Sequence, residues 1–131
     1  MNNIELEKEV KNLVHTLRYE KGIVCTVDIL IELDYLSKKD YENWRFGKVD
    51  YLEKVCKTNL SKLTLINKTM GKIAIDLKLD KSWTGYNQYG KGVKRGLKFS
   101  KSENKKIEKA YATHYNDKNR IRELKLEKAS V

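Results

Sequence analysis

The sequence predicts a mainly α single domain over residues 1–131, with a β-hairpin at about residues 83–100. Three observations carry this. Apolar residues recur at helical spacing through most of the first 80 positions. Proline is absent, so only glycines and polar caps punctuate those helices. Composition then changes at Lys81 to a basic stretch rich in glycine and aromatic residues.

The elements follow in order. From Asn3 to about Tyr19, Ile4, Leu6, Val10, Leu13, Val14 and Leu17 repeat with helical spacing, and Gly22 supplies the stop. Thr26 is placed to cap a second helix, with Asp28 near the positive dipole end and Val27, Leu30, Ile31 and Leu33 as its apolar face. Ser37, followed by Asp40, caps a third helix from Lys38 to about Phe46, ended by Gly47. Asp50 starts another turn through Leu52 and Val55. A long helix from Asn59 to about Leu77 then shows Leu60, Leu63, Ile66, Met70, Ile73, Ala74 and Leu77 along one face. Ile73, Ile75, Leu77 and Leu79 also alternate at the strand period, and length decides for helix. These elements form a helical core over 1–80.

Residues 81–101 form the basic segment, read as a hairpin with Trp83 to Tyr89 and Leu97 to Ser100 as arms and residues 91–96 as its tip, or else as an irregular glycine-rich loop. Residues 102–131 comprise a helix from Asn104 to Tyr115 and a charged tail, helical or frayed, with Ile121, Leu124 and Leu126 facing in.

Composition narrows the functional classes. A 40% hydrophobic share suits a folded core, and 28 Lys and Arg against 18 Asp and Glu give a formal net charge of +10. Such an excess attracts polyanions: DNA, RNA or an acidic surface. The bland alternative is heavy lysine use on solvated faces. Two cysteines, Cys25 and Cys56, make no disulfide framework and match no metal spacing, so reduced packed thiols are expected. No stretch of about 18 uncharged apolar residues occurs, and the first residues lack a basic leader with an apolar core. A cytoplasmic protein without a membrane partner is expected.

Residues 26–49 hold the first binding constellation, with Leu33-Asp34-Tyr35-Leu36-Ser37 between two capped amphipathic helices and Trp44-Arg45-Phe46-Gly47 closing the second. The pattern resembles the helix-turn-helix of bacterial regulators and excisionases, with Asp34 and Tyr35 where such turns hold glycine. The resemblance implies a second helix presenting its N-terminal part to a major groove. Lys38 and Lys39 would then lie near phosphates, Asn43 and Arg45 would reach base edges or backbone, and Ser37 would contribute its cap and hydroxyl. A second resemblance spans more of the chain. The run from Trp44 to Glu53, the run Leu97-Lys98-Phe99-Ser100-Lys101-Ser102, and Glu108 to His114 are similar to an uncharacterised family of small bacterial proteins. It implies a bacterial or mobile-element source and no particular activity.

The basic segment is the second constellation. Residues 81–106 carry eight Lys or Arg and one acid, Glu103, with Trp83, Tyr86, Tyr89 and Phe99 interleaved. Lys91, Lys94, Arg95, Lys98 and Lys101 suit a wing along a phosphate backbone, and exposed rings suit stacking on unpaired bases. Alternatively the rings roof the core and the lysines are merely solvated. Trp44, Tyr41 and Tyr51 are read as core or half-core.

Three chemical readings are weaker. A zinc site from Cys25, Cys56, His15 and His114 has no ligand spacing behind it. Asp76-Leu77-Lys78 with Glu53 loosely resembles the metal-binding core of restriction-type nucleases, which sits on paired strands. Ser100, Lys101, Ser102 and His114 lack a nucleophile elbow. The sequence therefore points to a non-catalytic DNA-binding protein without cofactor, DNA preferred to RNA, with a homodimer allowed. A module binding an acidic protein partner is second, and a metal-dependent nuclease third.

Overall fold

The computed structural model describes residues 1–92 and 94–129; Val93, in the expected hairpin tip, and Ser130 and Val131, at the tail, lie outside the described residues. Among the described residues there are six α-helices: α1 (Asn3–Lys21), α2 (Thr26–Glu32), α3 (Lys38–Arg45), α4 (Leu60–Asp76), α5 (Lys105–Ala112) and α6 (Lys118–Ala129). A 3₁₀ turn spans Leu52–Val55, and three short strands, β1 (Ile23–Val24), β2 (Asp80–Trp83) and β3 (Thr113–Asn116), complete the chain.

Capping explains the helix boundaries. Asn2 and Glu5 form a reciprocal capping box at the start of α1. Ser37 Oγ accepts from Asp40 N at 3.0 Å, and Asn59 Oδ1 from Lys62 N at 2.8 Å. Gly22 ends α1 in the left-handed region (φ 72°), donating its N–H to the Arg18 carbonyl. The Gly22 carbonyl accepts from Asp117 N at 2.8 Å, and a Cβ there would fall 2.6 Å from Ile121 Cγ1. Left-handed backbone and the close approach of α6 both demand glycine. Thr26, expected as a cap, is instead the first residue of α2: Cys25 is the N-cap, without a side-chain bond, and the Thr26 hydroxyl bonds Asn67 Oδ1 at 2.5 Å. That bond links α2 to α4.

The core lies between α1 and α4, which face each other. Leu6, Val10, Val14 and Leu17 come from α1 and Leu63, Ile66, Met70 and Ala74 from α4, all positions that helical periodicity assigned inward; Ile4 and Leu60, assigned to the same faces in the first turn of each helix, are instead 80% and 66% exposed. An aromatic layer extends it: Trp44 sits 5.2 Å from Phe99 and 5.5 Å from Tyr86, and Phe99 stacks on Tyr111 at 5.1 Å. Tyr86 and Phe99 of the basic segment therefore do roof the core, whereas Trp83 and Tyr89 are exposed; Trp44, buried as expected, donates Nε1 to the Lys98 carbonyl at 2.8 Å.

The sheet is where sequence patterning misled. Its order is β1-β3-β2, antiparallel throughout, pairing Ile23 with Asn116 and Trp83 with Thr113. The helix expected to reach Tyr115 stops at Ala112, because Thr113 to Asn116 form the central strand. Trp83, expected in a hairpin arm, belongs to β2. The helix-or-strand ambiguity over 72–80 resolves at a boundary: α4 runs to Asp76, Lys78 turns the chain at φ 58°, and β2 begins at Asp80. In α6, Ile121 and Leu124 are half-buried, but Leu126 is exposed, contrary to expectation. Among the described residues no helix is long and apolar enough to cross a membrane.

Candidate functional site

A hairpin does exist in the basic segment, with shorter arms than expected. Gln88 N donates to the Arg95 carbonyl and Leu97 N to the Tyr86 carbonyl, both at 2.8 Å, around an antiparallel bridge between Asn87 and Gly96. Gly90 and Gly92 near the tip adopt φ of 106° and 103°, so glycine is required where the chain reverses.

This hairpin is seated on the C-terminal end of α3. Tyr89 N donates to the Arg45 carbonyl at 2.6 Å, Arg45 Nη2 donates to the Asn87 carbonyl at 3.1 Å, and the Phe46 and Tyr89 rings meet edge-on at 5.5 Å. The Arg45 guanidinium lies 4.0 Å from the centre of the Tyr89 ring and 5.1 Å from that of Tyr86, while Nη1 donates to Tyr41 Oη at 3.0 Å. Its Nε is buried without a hydrogen-bond partner. Arg45 is thus a clamp between helix and hairpin, held by ring faces and one carbonyl.

The other residues of the third helix divide by position. Lys38 and Lys39 are exposed at its N-terminal end and have no carboxylate partner among the described residues; Asn43 is half-buried. At 1.5 Å rise per residue, Lys38 lies about 10 Å along the axis from Arg45. Asp34, which with Tyr35 stands where the resembled turns hold glycine, itself takes the left-handed conformation at φ 61°. Aspartate tolerates that region through local hydrogen bonding.

On the hairpin, Lys91, Lys94, Arg95, Lys98 and Lys101 are all exposed. Arg95 Nε donates to Gln88 Oε1 at 3.0 Å, and Lys94 Nζ donates to the Gly90 carbonyl. Lys98 pairs with Glu103 at 3.1 Å, so the one acid of the segment is turned onto the hairpin's base. Lys91, Lys94, Arg95 and Lys101 have no carboxylate partner among the described residues.

A second feature escaped the sequence reading, because its parts come from three separated segments. A groove of about 1420 Å³ opens between the 3₁₀ turn, the first half of α4 and α5. Lys54, Lys68, Lys101 and Lys106 line it together with Leu60, Ile107, Ala110 and Cys56. Leu60 and Ile107 are 66% and 39% exposed, large for aliphatic side chains in a concave surface. Glu53, also on this wall, accepts from the Tyr111 hydroxyl at 2.7 Å, and burial raises its carboxyl pKa. Burial likewise pushes the Cys56 thiol up to about 12, so it is no thiolate nucleophile near neutral pH. The sequence signal for the groove was a pair of apolar residues in the first turn of two helices, Leu60 one position after the Asn59 cap and Ile107 three positions after the Asn104 cap.

The remaining polar cluster joins Tyr86 and His114, whose hydroxyl and Nε2 lie 2.8 Å apart. Burial lowers the His114 pKa and raises that of Tyr86, so both are neutral near pH 7 and share one hydrogen bond whose direction follows the imidazole tautomer. Burial also lifts nearby Cys25 to about 12. Among the described residues no three or more His, Cys, Asp or Glu side chains are grouped to hold a metal. Asp76 closes α4 rather than lying on a strand, unlike the nuclease pattern, and Glu53 is engaged with Tyr111. No family model matches the chain, and no curated protein or solved structure does either.

Proposed function

We propose that the chain is a non-catalytic DNA-binding protein whose hairpin lies along a phosphate backbone. One observation carries this reading: an exposed hairpin bearing Lys91, Lys94, Arg95 and Lys98, with Lys101 at its base, has a single carboxylate among these five cations and is fixed onto α3. Closely spaced cations without competing acids release counterions from DNA, and that release supplies sequence-independent affinity. Lys38 and Lys39, at the N-terminal end of α3, add phosphate contacts where the helix dipole also favours anions. Asn43 is the remaining base-edge candidate, and Ser37 orders the helix start. Arg45 leaves the set of direct readers, since its guanidinium is spent on Tyr41, Asn87 and Tyr89.

A gel-shift series with random duplex, single strand and polyglutamate as competitor tests it. Duplex retention is expected at about 100 mM salt, with at least about tenfold weaker binding when Lys91, Lys94 and Arg95 are changed to Glu. Equal duplex affinity in that variant removes the proposal. A second reading, a protein partner with an acidic surface, is favoured by the lysine-lined groove.

A further inference from the structure

We propose that the groove between the 3₁₀ turn, α4 and α5 is a docking site for an acidic, amphipathic peptide segment of a partner protein. Its lining includes the aliphatic residues Leu60 and Ile107 together with Lys68, Lys101 and Lys106. None of these three lysines has a carboxylate partner among the described residues, whereas Lys54 at the margin pairs with Asp50 at 3.4 Å. Unpaired cations beside exposed aliphatic surface complement a ligand that is anionic on one side and apolar on the other.

Size and chemistry choose the occupant. A volume of about 1420 Å³ exceeds the roughly 300–1,000 Å³ of ordinary small-molecule pockets. It suits a short helix laying an apolar stripe into a groove. A nucleic-acid strand would want several flat rings on which bases stack, whereas Tyr51 is the one aromatic residue among the described lining residues and the exposed large apolar side chains, Leu60 and Ile107, are aliphatic. Against four lysines the groove wall carries one acid among the described residues, Glu53, whose carboxylate already accepts from the Tyr111 hydroxyl at 2.7 Å. The groove shares Lys101 with the cations of the DNA reading, whereas Leu60, Lys68, Lys106 and Ile107 lie outside that set.

The probe is a helical peptide of about 15 residues with Leu along one face and Glu on the other, titrated into the full chain and read by amide shifts. Shifts are expected at Leu60, Thr64, Lys68 and Ile107, with a scrambled isomer of identical charge binding about tenfold more weakly. Leu60→Ser with Ile107→Ser should abolish the preference for the amphipathic isomer while duplex binding and the thermal midpoint stay unchanged. Lys68→Glu with Lys106→Glu should weaken both peptides. No binding of the amphipathic peptide, equal binding of the two isomers, or displacement by a single-stranded oligonucleotide that shifts the same amides would each overturn the proposal.

Discussion

Arg45 shows why residue type alone misassigns roles. An arginine near the end of a presumed reading helix invites a base contact, yet its guanidinium spans the Tyr89 ring at 4.0 Å, the Tyr41 hydroxyl and the Asn87 carbonyl. Such a planar fork is not replaceable by a point charge. Arg45→Ala should cost about 2 kcal/mol in urea unfolding, and Arg45→Lys should recover little of it. Trp44 combines full burial with the Nε1 bond to Lys98, so Trp44→Ala should cost about 3–5 kcal/mol. His114 gives the pH dependence. Its folded pKa is lowered by burial, so the unfolded chain binds its proton more readily below the ordinary value of 6.5. Its contribution is complete above that value and is lost as pH falls from 6.5 through the folded pKa. Thermal midpoints measured from pH 7.5 to 5 should decline, and His114→Gln should flatten that decline; a parallel decline in the variant would contradict the assignment.

Among elements, legibility followed the range of the interaction that fixes each one. The start and inward face of α4 could be read from Asn59 and the spacing of Leu63, Ile66, Met70 and Ala74, because caps and periodicity act within a few residues. So could the Ser37 cap of α3 and the Gly22 stop of α1. The sheet was invisible for the opposite reason. Thr113 to Asn116 are extended only because β1 and β2, which are 89 or more and 30 or more positions away along the chain, bond both their edges. A four-residue strand carries no periodicity of its own. The hairpin falls between: its glycines and basic tip announced a reversal, but its docking on α3 depends on tertiary contacts. If that docking rests on Arg45, hydrogen exchange of the Arg45→Ala variant should accelerate at Gln88 and Tyr89 while the α1 and α4 amides remain protected. Uniform acceleration would mean that the clamp supports the whole fold. Gly22→Ala, which meets both a left-handed φ and Ile121, should free α6 from α1 first.

At the scale of the molecule, a net charge of +10 becomes useful only through where it is concentrated. Part of it is neutralised locally, as in Arg18 with Asp117 at 2.8 Å and Lys98 with Glu103. The hairpin tip and the groove's Lys68, Lys101 and Lys106 remain without such neutralisation among the described residues, whereas Lys54 at the groove margin pairs with Asp50, and the groove could not be read from the sequence because its walls meet only after α4 and α5 pack. If the hairpin carries DNA affinity, the dependence of duplex binding on salt counts its phosphate contacts directly. The decisive measurement is therefore the slope of log affinity against log salt for a random duplex, in the parent chain and in Lys91→Ala/Lys94→Ala/Arg95→Ala. The slope is expected to become shallower by about 2–3 in the triple variant, at roughly 0.9 per lost contact. An unchanged slope, with both proteins equally folded, would contradict a role for the hairpin in binding DNA.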